Sequence, residues 1–174
     1  MRLPALLVLL MLALAGGARA QPDSGPPDTA LPGGIVLRLP VPGACISSPF
    51  GPRHAVGPHA ALFHNGIDLP AAAGTWVGAA AAGQVVAVRH LGSSGLEVDI
   101  AHGPPGHGFI SRYAHLGTVA PAIAGGLTRV VAGERIGRIG RSGITIGTHL
   151  HFELHIDGHP VDPAPYLGAN FCGL

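Results

Sequence analysis

The sequence predicts an all-β domain, built as an antiparallel sheet of short strands with glycine-rich loops between them. Residues 148–156 alternate polar and apolar side chains without a break, which is the period of a strand with one buried face. Several further short apolar segments are separated by glycine-rich links of hairpin length, as expected for neighbouring antiparallel strands. No heptad, internal repeat or helical apolar stripe accompanies them.

The first twenty residues have the composition of a secretory signal peptide. Met1-Arg2 precedes an apolar run over residues 3–15, and small residues lead to an A-x-A ending at Ala20. The run is shorter than the roughly 20 apolar residues that a membrane-spanning helix needs, and no cysteine follows the expected cleavage site. We therefore expect cleavage after Ala20 and an exported, soluble mature chain without a membrane span.

Residues 21–40 are predicted to be a proline-rich linker, and residues 41–174 a single domain. Proline, serine, aspartate and glycine dominate residues 21–34, a composition that cannot form a core. Within the same stretch, the apolar run at residues 35–39 predicts a short lead-in strand. The remaining length is sufficient for one domain with its own core.

The domain itself divides into short predicted strands. Residues 45–53 predict a strand that runs into a turn, and residues 54–63 predict a loop. In residues 96–100 the alternation predicts apolar side chains directed inward, with the acids Glu97 and Asp99 directed outward. The other predicted strands are residues 75–79, 83–91, 95–102, 108–114, 127–131, 134–139 and 148–156.

The composition argues against nucleic acid as a partner and draws attention to histidine. All ten basic residues are arginines, and removal of Arg2 and Arg19 leaves eight against nine acids, a formal charge of −1. No basic patch is present to neutralise phosphates. Eleven histidines are unusual in a chain with so few charges, and metal binding is one explanation.

Two cysteines, Cys45 and Cys172, lie near the two ends of the domain. Because an exported chain meets an oxidising environment, a disulfide that ties the C-terminal tail to the first strand is one interpretation. A pair of buried free thiols is the other.

Five residues form the candidate site. On a strand, His149 and His151 project from the same face, roughly 6.5–7 Å apart, so one imidazole can bind a metal while the other acts on a bound water. His64 and Asp68 flank an Asn-Gly turn and converge if the flanking chain is extended, and His115 lies in a third segment. Two histidines and one aspartate match a catalytic zinc site, which has three protein ligands and a position for water.

The alternative is that these histidines are exposed or make structural hydrogen bonds. The combined set favours a site, because the H-x-x-x-D and H-x-H patterns both border glycine-rich loops. Glu153 and His155 share the face of the H-x-H pair and are candidates for supporting hydrogen bonds to its members. The structural interpretation is preferred for isolated histidines such as His54, His90, His102 and His107.

Six motifs occur in the chain in a fixed order. They are Ser48-Pro49-Phe50-Gly51-x-Arg53, His64-x-x-x-Asp68, Tyr113-Ala114-His115-Leu116, Gly140-x-Ser142-Gly143, His149-Leu150-His151-Phe152-Glu153 and Val161-Asp162-Pro163. Together they resemble peptidase family M23, also called the LytM or lysostaphin-type family, over about residues 45–167. The combination is specific, whereas H-x-H alone is weak. One departure is Thr145-Ile146-Gly147-Thr148, where the family usually has Ser-Thr-Gly-Pro.

The resemblance implies a zinc endopeptidase that hydrolyses peptide cross-links of bacterial peptidoglycan in a groove across the antiparallel sheet. It implies one Zn²⁺ per chain, with His64, Asp68 and His151 as ligands. His149 is the implied general base acting on a zinc-bound water, and His115 is implied to orient that water or to stabilise the oxyanion. The implied location is the periplasm, with secretion from the cell as the alternative.

Two rival functions are compatible with a chain of this kind. Some relatives lack metal ligands and act as non-catalytic modules that activate cell-wall amidases, whereas all five site positions are filled here. A histidine-based metal carrier would need a dense histidine tract, and these histidines are dispersed. The sequence leaves open whether a stem-peptide cross-link or a glycine bridge is cut, and which oligomeric state the protein adopts.

Overall fold

The computed structural model describes residues 31, 34–53 and 61–173, and within them it contains eleven β-strands and two single-turn helices. The predicted signal peptide, residues 1–20, and His54 lie outside the described residues. No helix in the described part is both long and apolar enough to cross a membrane. The elements are β1 (Gly51–Pro52), β2 (Phe63–His64), β3 (Ile67–Pro70), β4 (Trp76–Gly78), β5 (Gly83–Leu91), β6 (Gly95–His102), β7 (Phe109–Val119), α1 (Pro121–Ala124), β8 (Arg129–Val130), β9 (Arg135–Ile139), β10 (His149–Ile156), β11 (His159–Val161) and α2 (Ala164–Leu167).

Nine of these strands form one sheet, which confirms the predicted all-β class. The strand order is β11-β10-β7-β6-β5-β8, with β3 also paired to β10, and β9 paired to both β7 and β4. Strands β1 and β2 pair with each other, and every one of these pairs is antiparallel. Because β3 and β7 both pair with β10, three segments distant in sequence meet along β10.

The alternation predicted for β10 is confirmed. Leu150, Phe152 and Leu154 are fully buried, and the Phe152 ring packs against Tyr113 with 5.2 Å between ring centroids. His149 and His151 lie on the opposite face and are half-buried. Full burial of one large apolar side chain stabilises the fold by about 1.5–3 kcal/mol. A one-residue slip would turn all three side chains away from the core, so the register of β10 is strongly fixed.

Strand β7 is longer than predicted, and it contains a bulge at His115. The sequence predicted an end at Ala114, whereas the strand continues to Val119. One residue of β6 faces both Ala114 and His115, and His115 has a φ of 61°, which is uncommon for a residue with a side chain. A bulge re-aims the side chain that it carries, and the alternation pattern does not reveal it.

The prediction that Glu97 and Asp99 point to solvent is wrong. Their side chains are 2% and 4% exposed. Arg89 of β5 donates hydrogen bonds to both carboxylates, and Arg112 of β7 donates to Asp99 at 2.9 and 3.0 Å. The burial is possible because cations from two neighbouring strands neutralise the acids, a contact that the local pattern does not encode.

The predicted lead-in strand at residues 35–39 is not a strand. The segment contacts the sheet through two separate backbone hydrogen bonds, one from Arg38 N–H to the Ala80 carbonyl (2.7 Å) and one from Gly78 N–H to the Pro40 carbonyl (2.9 Å). Pro40 has no N–H to continue a ladder. The apolar run therefore packs on the sheet without joining it.

Cys45 and Cys172 form a disulfide, with their Cα atoms 5.0 Å apart. The alternative of two free thiols is therefore wrong. Beside the disulfide, Ile46 pairs with Phe171 in a parallel bridge, and Cys172 N–H donates to the Ile46 carbonyl at 2.9 Å. The C-terminal tail is thus fixed to the segment that precedes β1.

Candidate metal centre

The turn between β2 and β3 brings His64 beside Asp68, as the Asn-Gly signal predicted. His64 ends β2 and Asp68 lies in β3. Gly66 passes so close to β10 that a Cβ atom there would lie 2.2 Å from the Phe152 carbonyl oxygen. Glycine is therefore required at this position. Strand β3 then pairs with β10 in the register that puts Asp68 directly opposite His151.

Three side chains with metal-binding atoms converge at this point. His64 Nε2 and His151 Nδ1 lie 3.1 and 3.0 Å from Asp68 Oδ1, and the two nitrogens are 3.0 Å apart. Among the described residues these three form the group of His, Cys, Asp and Glu donors that could hold a metal ion, with all ligand atoms within 4.8 Å of one another. The cluster joins residues 87 positions apart in the chain.

The outer nitrogen of each of these two histidines has its own acceptor. His64 Nδ1 donates to the Pro49 carbonyl at 2.7 Å, and His151 Nε2 donates to Glu153 at 2.8 Å. A histidine whose one nitrogen donates a proton in this way presents the lone pair of the other nitrogen. The acceptors therefore select His64 Nε2 and His151 Nδ1 as the atoms available to a metal.

His149 is held in a similar way. The Thr145 hydroxyl donates to the Gly147 carbonyl at 2.8 Å, so its oxygen accepts from His149 Nδ1, 3.3 Å away. His149 Nε2 then faces the cluster, 3.4 Å from Asp68 Oδ1. Burial lowers the pKa of His149, so the ring is neutral near pH 7 and Nε2 can accept a proton. Thr145, in the segment that departs from the family pattern, supplies this contact.

His115 completes the set. Its ring centroid lies 5.0 Å from that of His149 and 5.8 Å from that of His151. Its Nδ1 donates to the Ser142 carbonyl at 2.9 Å, which leaves Nε2 as an acceptor. Burial lowers the pKa of His115 to about 4, so this ring is also neutral near pH 7.

The Asp68 carboxylate carries a negative charge in the cluster. Burial alone would raise its pKa, but the hydrogen bond from His151 and the neighbouring His64 ring outweigh burial and hold the pKa of Asp68 well below its usual range. Arg53 donates to the second carboxylate oxygen, Oδ2, at 3.1 Å, and to Ser48 Oγ at 3.0 Å. Oδ1 is thereby left for the histidines.

His151 lies between two carboxylates. Burial lowers its pKa, but its hydrogen bonds to Asp68 and Glu153 raise it to about 9. Without a metal, His151 is therefore a cation near neutral pH and donates to both neighbours. A metal that binds Nδ1 must displace one proton, which couples metal affinity to pH.

Glu153 connects the cluster to a network of buried charges. It is 7% exposed and accepts hydrogen bonds from His151 and His155. Arg112 Nη1 lies 3.4 Å from its Oε2, while Nε and Nη2 of the same side chain bind Asp99. The supporting role predicted for Glu153 is thus consistent with its contacts, whereas His155 is connected to the cluster through its hydrogen bond to Glu153.

Several supporting residues escaped the sequence analysis. Arg53 is part of the Ser48-Pro49-Phe50-Gly51-x-Arg53 motif, but the sequence analysis assigned it no role. The available signal was a basic side chain that precedes the acid of the H-x-x-x-D pattern. Ser142 and Thr145 likewise lie in or beside the quoted motifs, and each contacts one site histidine through a hydrogen bond, His115 and His149 respectively. The isolated His102 packs on Phe109 and bonds to Ser111 at 2.7 Å, as the structural interpretation predicted.

Comparison with known proteins agrees with this geometry. The model of peptidase family M23 matches residues 62–163. The chain belongs to this family. The match contains the three residues of the metal-binding cluster as well as His115 and His149.

The curated relatives of the chain include two named endopeptidases. A DD-carboxypeptidase/endopeptidase, Mpg, from Neisseria meningitidis is 40% identical over 118 residues, which cover 68% of this chain and 26% of the relative. The peptidoglycan DD-endopeptidase ShyA from Vibrio cholerae is 38% identical over 119 residues, covering 67% of this chain and 26% of that protein. The chain therefore spans about a quarter of the length of these curated relatives.

Solved structures show the same fold. A zinc containing peptidase from Vibrio cholerae is 28% identical with a TM-score of 0.57, over 72% of this chain and 36% of that one. The catalytic domain of lysostaphin from Staphylococcus simulans gives a TM-score of 0.61 over 72% of this chain and 93% of that one. At 23% identity, the lysostaphin match shows the fold alone.

The residues of the cluster fit Zn²⁺. Two imidazole nitrogens and one carboxylate oxygen are donor types that zinc binds in catalytic sites, and three protein ligands leave one position open. His64 Nε2 and His151 Nδ1 lie 3.1 and 3.0 Å from the same carboxylate oxygen, Asp68 Oδ1. The outer hydrogen bonds of both histidines are of the kind that orient zinc ligands.

Proposed function

We propose that the protein is a zinc metalloendopeptidase that hydrolyses peptide cross-links of peptidoglycan. One observation carries the proposal: the convergence of His64, Asp68 and His151, with the neutral rings of His115 and His149 beside them. The first three residues would hold one Zn²⁺ per chain. The remaining two would act on the reacting water.

The proposed roles follow from the proton positions. Bound Zn²⁺ supplies a Lewis acid and a water whose pKa is lowered to about 7. His149 Nε2 accepts the proton of the attacking water, because Thr145 fixes the other ring proton on Nδ1. His115 Nε2 accepts a second hydrogen bond from that water and orients it. Of the two roles that the resemblance implied for His115, a ring with its proton on Nδ1 favours orientation over donation to an oxyanion.

The substrate class rests on the relatives. ShyA is named as a peptidoglycan DD-endopeptidase and Mpg as a DD-carboxypeptidase/endopeptidase, which supports a stem-peptide cross-link as the bond cut. The Cys45–Cys172 disulfide agrees with an oxidising compartment, and a periplasmic location follows if residues 1–20 act as a signal peptide. A non-catalytic activator is disfavoured, since its distinguishing feature is a lost ligand and none is lost here.

Digestion of purified sacculi tests the proposal. We expect the zinc-loaded protein to release soluble muropeptides, and mass spectrometry of the products names the bond. Chelation should stop release and added zinc should restore it, whereas His151→Ala protein should stay inactive at any zinc concentration. Full activity of metal-free protein would overturn the zinc mechanism, and intact cross-links after digestion with loaded protein would overturn the substrate.

A further inference from the structure

A second groove lies along β4 and β9, away from the histidine cluster. Its volume is about 330 Å³, and its walls include the Trp76 ring, Pro40, Pro42 and the side chains of Arg38 and Arg135. Arg138 of β9 pairs directly with Trp76 of β4, and its guanidinium group stacks on the same ring. Three guanidinium groups therefore surround one aromatic ring, two of them lining the groove and the third stacked on Trp76.

The arginines are held in place by their surroundings. The guanidinium carbons of Arg138 and Arg135 lie 3.6 and 4.8 Å from the centroid of the Trp76 ring, and Arg138 Nη1 also donates to the Gly74 carbonyl at 2.7 Å. Stacking orients a guanidinium while leaving N–H groups at its edge free to bind a carboxylate. Less side-chain freedom is then lost when an anion binds.

The charges of this groove are not neutralised within the described part of the chain. The arginine of the metal site and those of the buried network each pair with a carboxylate. By contrast, no ion pair to Arg38, Arg135 or Arg138 is found among residues 34–53 and 61–173. The partner that complements this surface is an anion.

The groove lies close to the candidate active site. Leu116, next to His115, pairs with Ile139 of β9, and Ile139 N–H donates to the Thr75 carbonyl at 2.9 Å, just before Trp76. Two strand spacings, about 10 Å, therefore separate the strand of His115 from that of Trp76. A polymer that occupies the active site is long enough to reach the groove as well.

We propose that Arg38, Arg135 and Arg138, arranged around Trp76, form a secondary binding surface for the free carboxylates of peptidoglycan stem peptides. The proposal deepens the proposed function and rests on it for the identity of the polymer. The surface holds the insoluble wall against the enzyme while the histidine cluster acts on a cross-link three strand spacings, roughly 15 Å, away. Polyvalent attachment of this kind raises the local concentration of cleavable bonds.

Binding can be measured separately from cleavage. The zinc-loaded protein is mixed with purified sacculi on ice and sedimented at once, and the bound fraction gives the affinity. Arg135→Gln is compared with Arg129→Gln, which removes the same charge from another exposed strand position outside the groove. We expect Arg135→Gln to bind about 1.5- to 5-fold more weakly and the triple variant of Arg38, Arg135 and Arg138 to Gln about tenfold more weakly, with Arg129→Gln near the wild type.

Chemical modification of the wall supplies the complementary test. Sacculi whose carboxylates have been converted to amides should bind the wild type as weakly as native sacculi bind the triple variant, and added salt should weaken only binding to native sacculi. Equal losses in Arg135→Gln and Arg129→Gln, or wild-type binding that ignores amidation, would overturn the proposal. Because the readout is sedimentation, the result stands even if the protein cuts no bond, so failure of the two proposals is distinguishable.

Discussion

The carboxylate of Glu153 decides which nitrogen of His151 faces the metal cluster. It accepts from Nε2 at 2.8 Å, so Nδ1 is the ring nitrogen directed at Asp68 and His64. The Thr145 hydroxyl oxygen accepts from His149 Nδ1, and the Pro49 carbonyl accepts from His64 Nδ1. In both of these rings Nε2 is therefore the nitrogen that faces the cluster. At the scale of single residues, the chemistry of the site therefore depends as much on these acceptors as on the rings themselves.

Glu153 should accordingly control zinc affinity. We expect Glu153→Ala to weaken zinc binding by about 10- to 100-fold, as is typical when an outer hydrogen-bond partner of a ligand is lost. Glu153→Gln should be milder because an amide oxygen can still accept from Nε2. Competition with a chromogenic chelator gives the affinities. Glu134→Gln is the matched control, since within the described part of the chain the Glu134 carboxylate bonds only to Val131 N–H. Equal affinities for all three variants would refute the role.

His149 and His151 should fail in different ways although they are two residues apart on one strand. Replacing His151 with Ala leaves two protein ligands, which cannot hold zinc in a defined site. His149→Ala should keep its zinc and lose about 10²- to 10⁴-fold in rate, the usual cost of removing a general base. Metal analysis beside a muropeptide-release assay checks both. The roles are reversed if His149→Ala loses the metal and His151→Ala retains it.

Tyr113 should contribute to the free energy of unfolding, and this contribution should be lost at alkaline pH. It is fully buried, and its hydroxyl accepts from Ala80 N–H at 2.7 Å. Burial raises the pKa of Tyr113 to about 12, above the ordinary value of 10.0. A raised folded-state pKa contributes stability that is present below pH 10 and is lost as the pH rises through 12, by about 2–3 kcal/mol.

The variant Tyr113→Phe isolates this effect. At pH 7 it should be less stable by about 1–3 kcal/mol, because the buried Ala80 N–H loses its acceptor. Above pH 10 the wild type should lose stability faster than the variant, so the two free energies of unfolding should converge. Urea titrations at pH 7, 9 and 11 measure them. Parallel curves across this range would contradict the assignment.

At the scale of elements, the alternation of β10 and the Asn-Gly turn between β2 and β3 were predictable because both are local signals. They were sufficient to place His64 near Asp68 and to put His149 and His151 on one strand face, whereas the meeting of these two parts was implied only by the family resemblance. The bulge at His115 was not predictable, since it depends on one residue of β6 facing two of β7. The burial of Glu97 was missed for a related reason, because the neutralising arginines come from neighbouring strands.

The segment before β1 connects the disulfide to the metal cluster. Ser47 N–H donates to the Asp68 carbonyl and Asp68 N–H donates to the Ser48 carbonyl, both at 3.0 Å. The same segment supplies the Pro49 acceptor of His64, and Arg53, directly after β1, binds Asp68. Cys45 fixes its beginning to the C-terminal tail. Loss of the disulfide should therefore affect the site as well as the stability of the chain.

The double variant Cys45→Ser/Cys172→Ser tests this connection without adding a reductant that binds zinc. In the chain-entropy description, a disulfide closing a loop of this length contributes about 4–5 kcal/mol to the free energy of unfolding. We also expect zinc affinity to fall, toward the 10- to 100-fold range seen for lost outer-shell contacts. Denaturant titration and chelator competition measure the two effects separately. A destabilised variant with unchanged zinc affinity would show that the segment holds its position without the disulfide.

At the scale of the whole molecule, the site joins parts of the chain that the sheet topology brings together. The ligand-bearing strands β2 and β3 precede most of the domain, and β10 lies near its end. A metal ion bound there cross-links both regions in the folded state only. Metal binding should therefore be visible as stability of the entire domain, through the preference of the ion for the folded chain.

Zinc removal should lower the melting temperature of the wild type in one cooperative step. At a free zinc concentration 1,000 times the Kd, binding adds about 4 kcal/mol, and a domain of this size shifts by roughly 2–4 °C per kcal/mol, so a change of about 10 °C is expected. His151→Ala should melt at the same temperature with and without zinc, because its donor set is incomplete. His90→Ala, an equivalent substitution at an exposed position in β5, should keep the full zinc-dependent shift. If the His151→Ala protein responds to zinc as strongly as the His90→Ala protein, the stabilising ion binds somewhere other than the cluster of His64, Asp68 and His151.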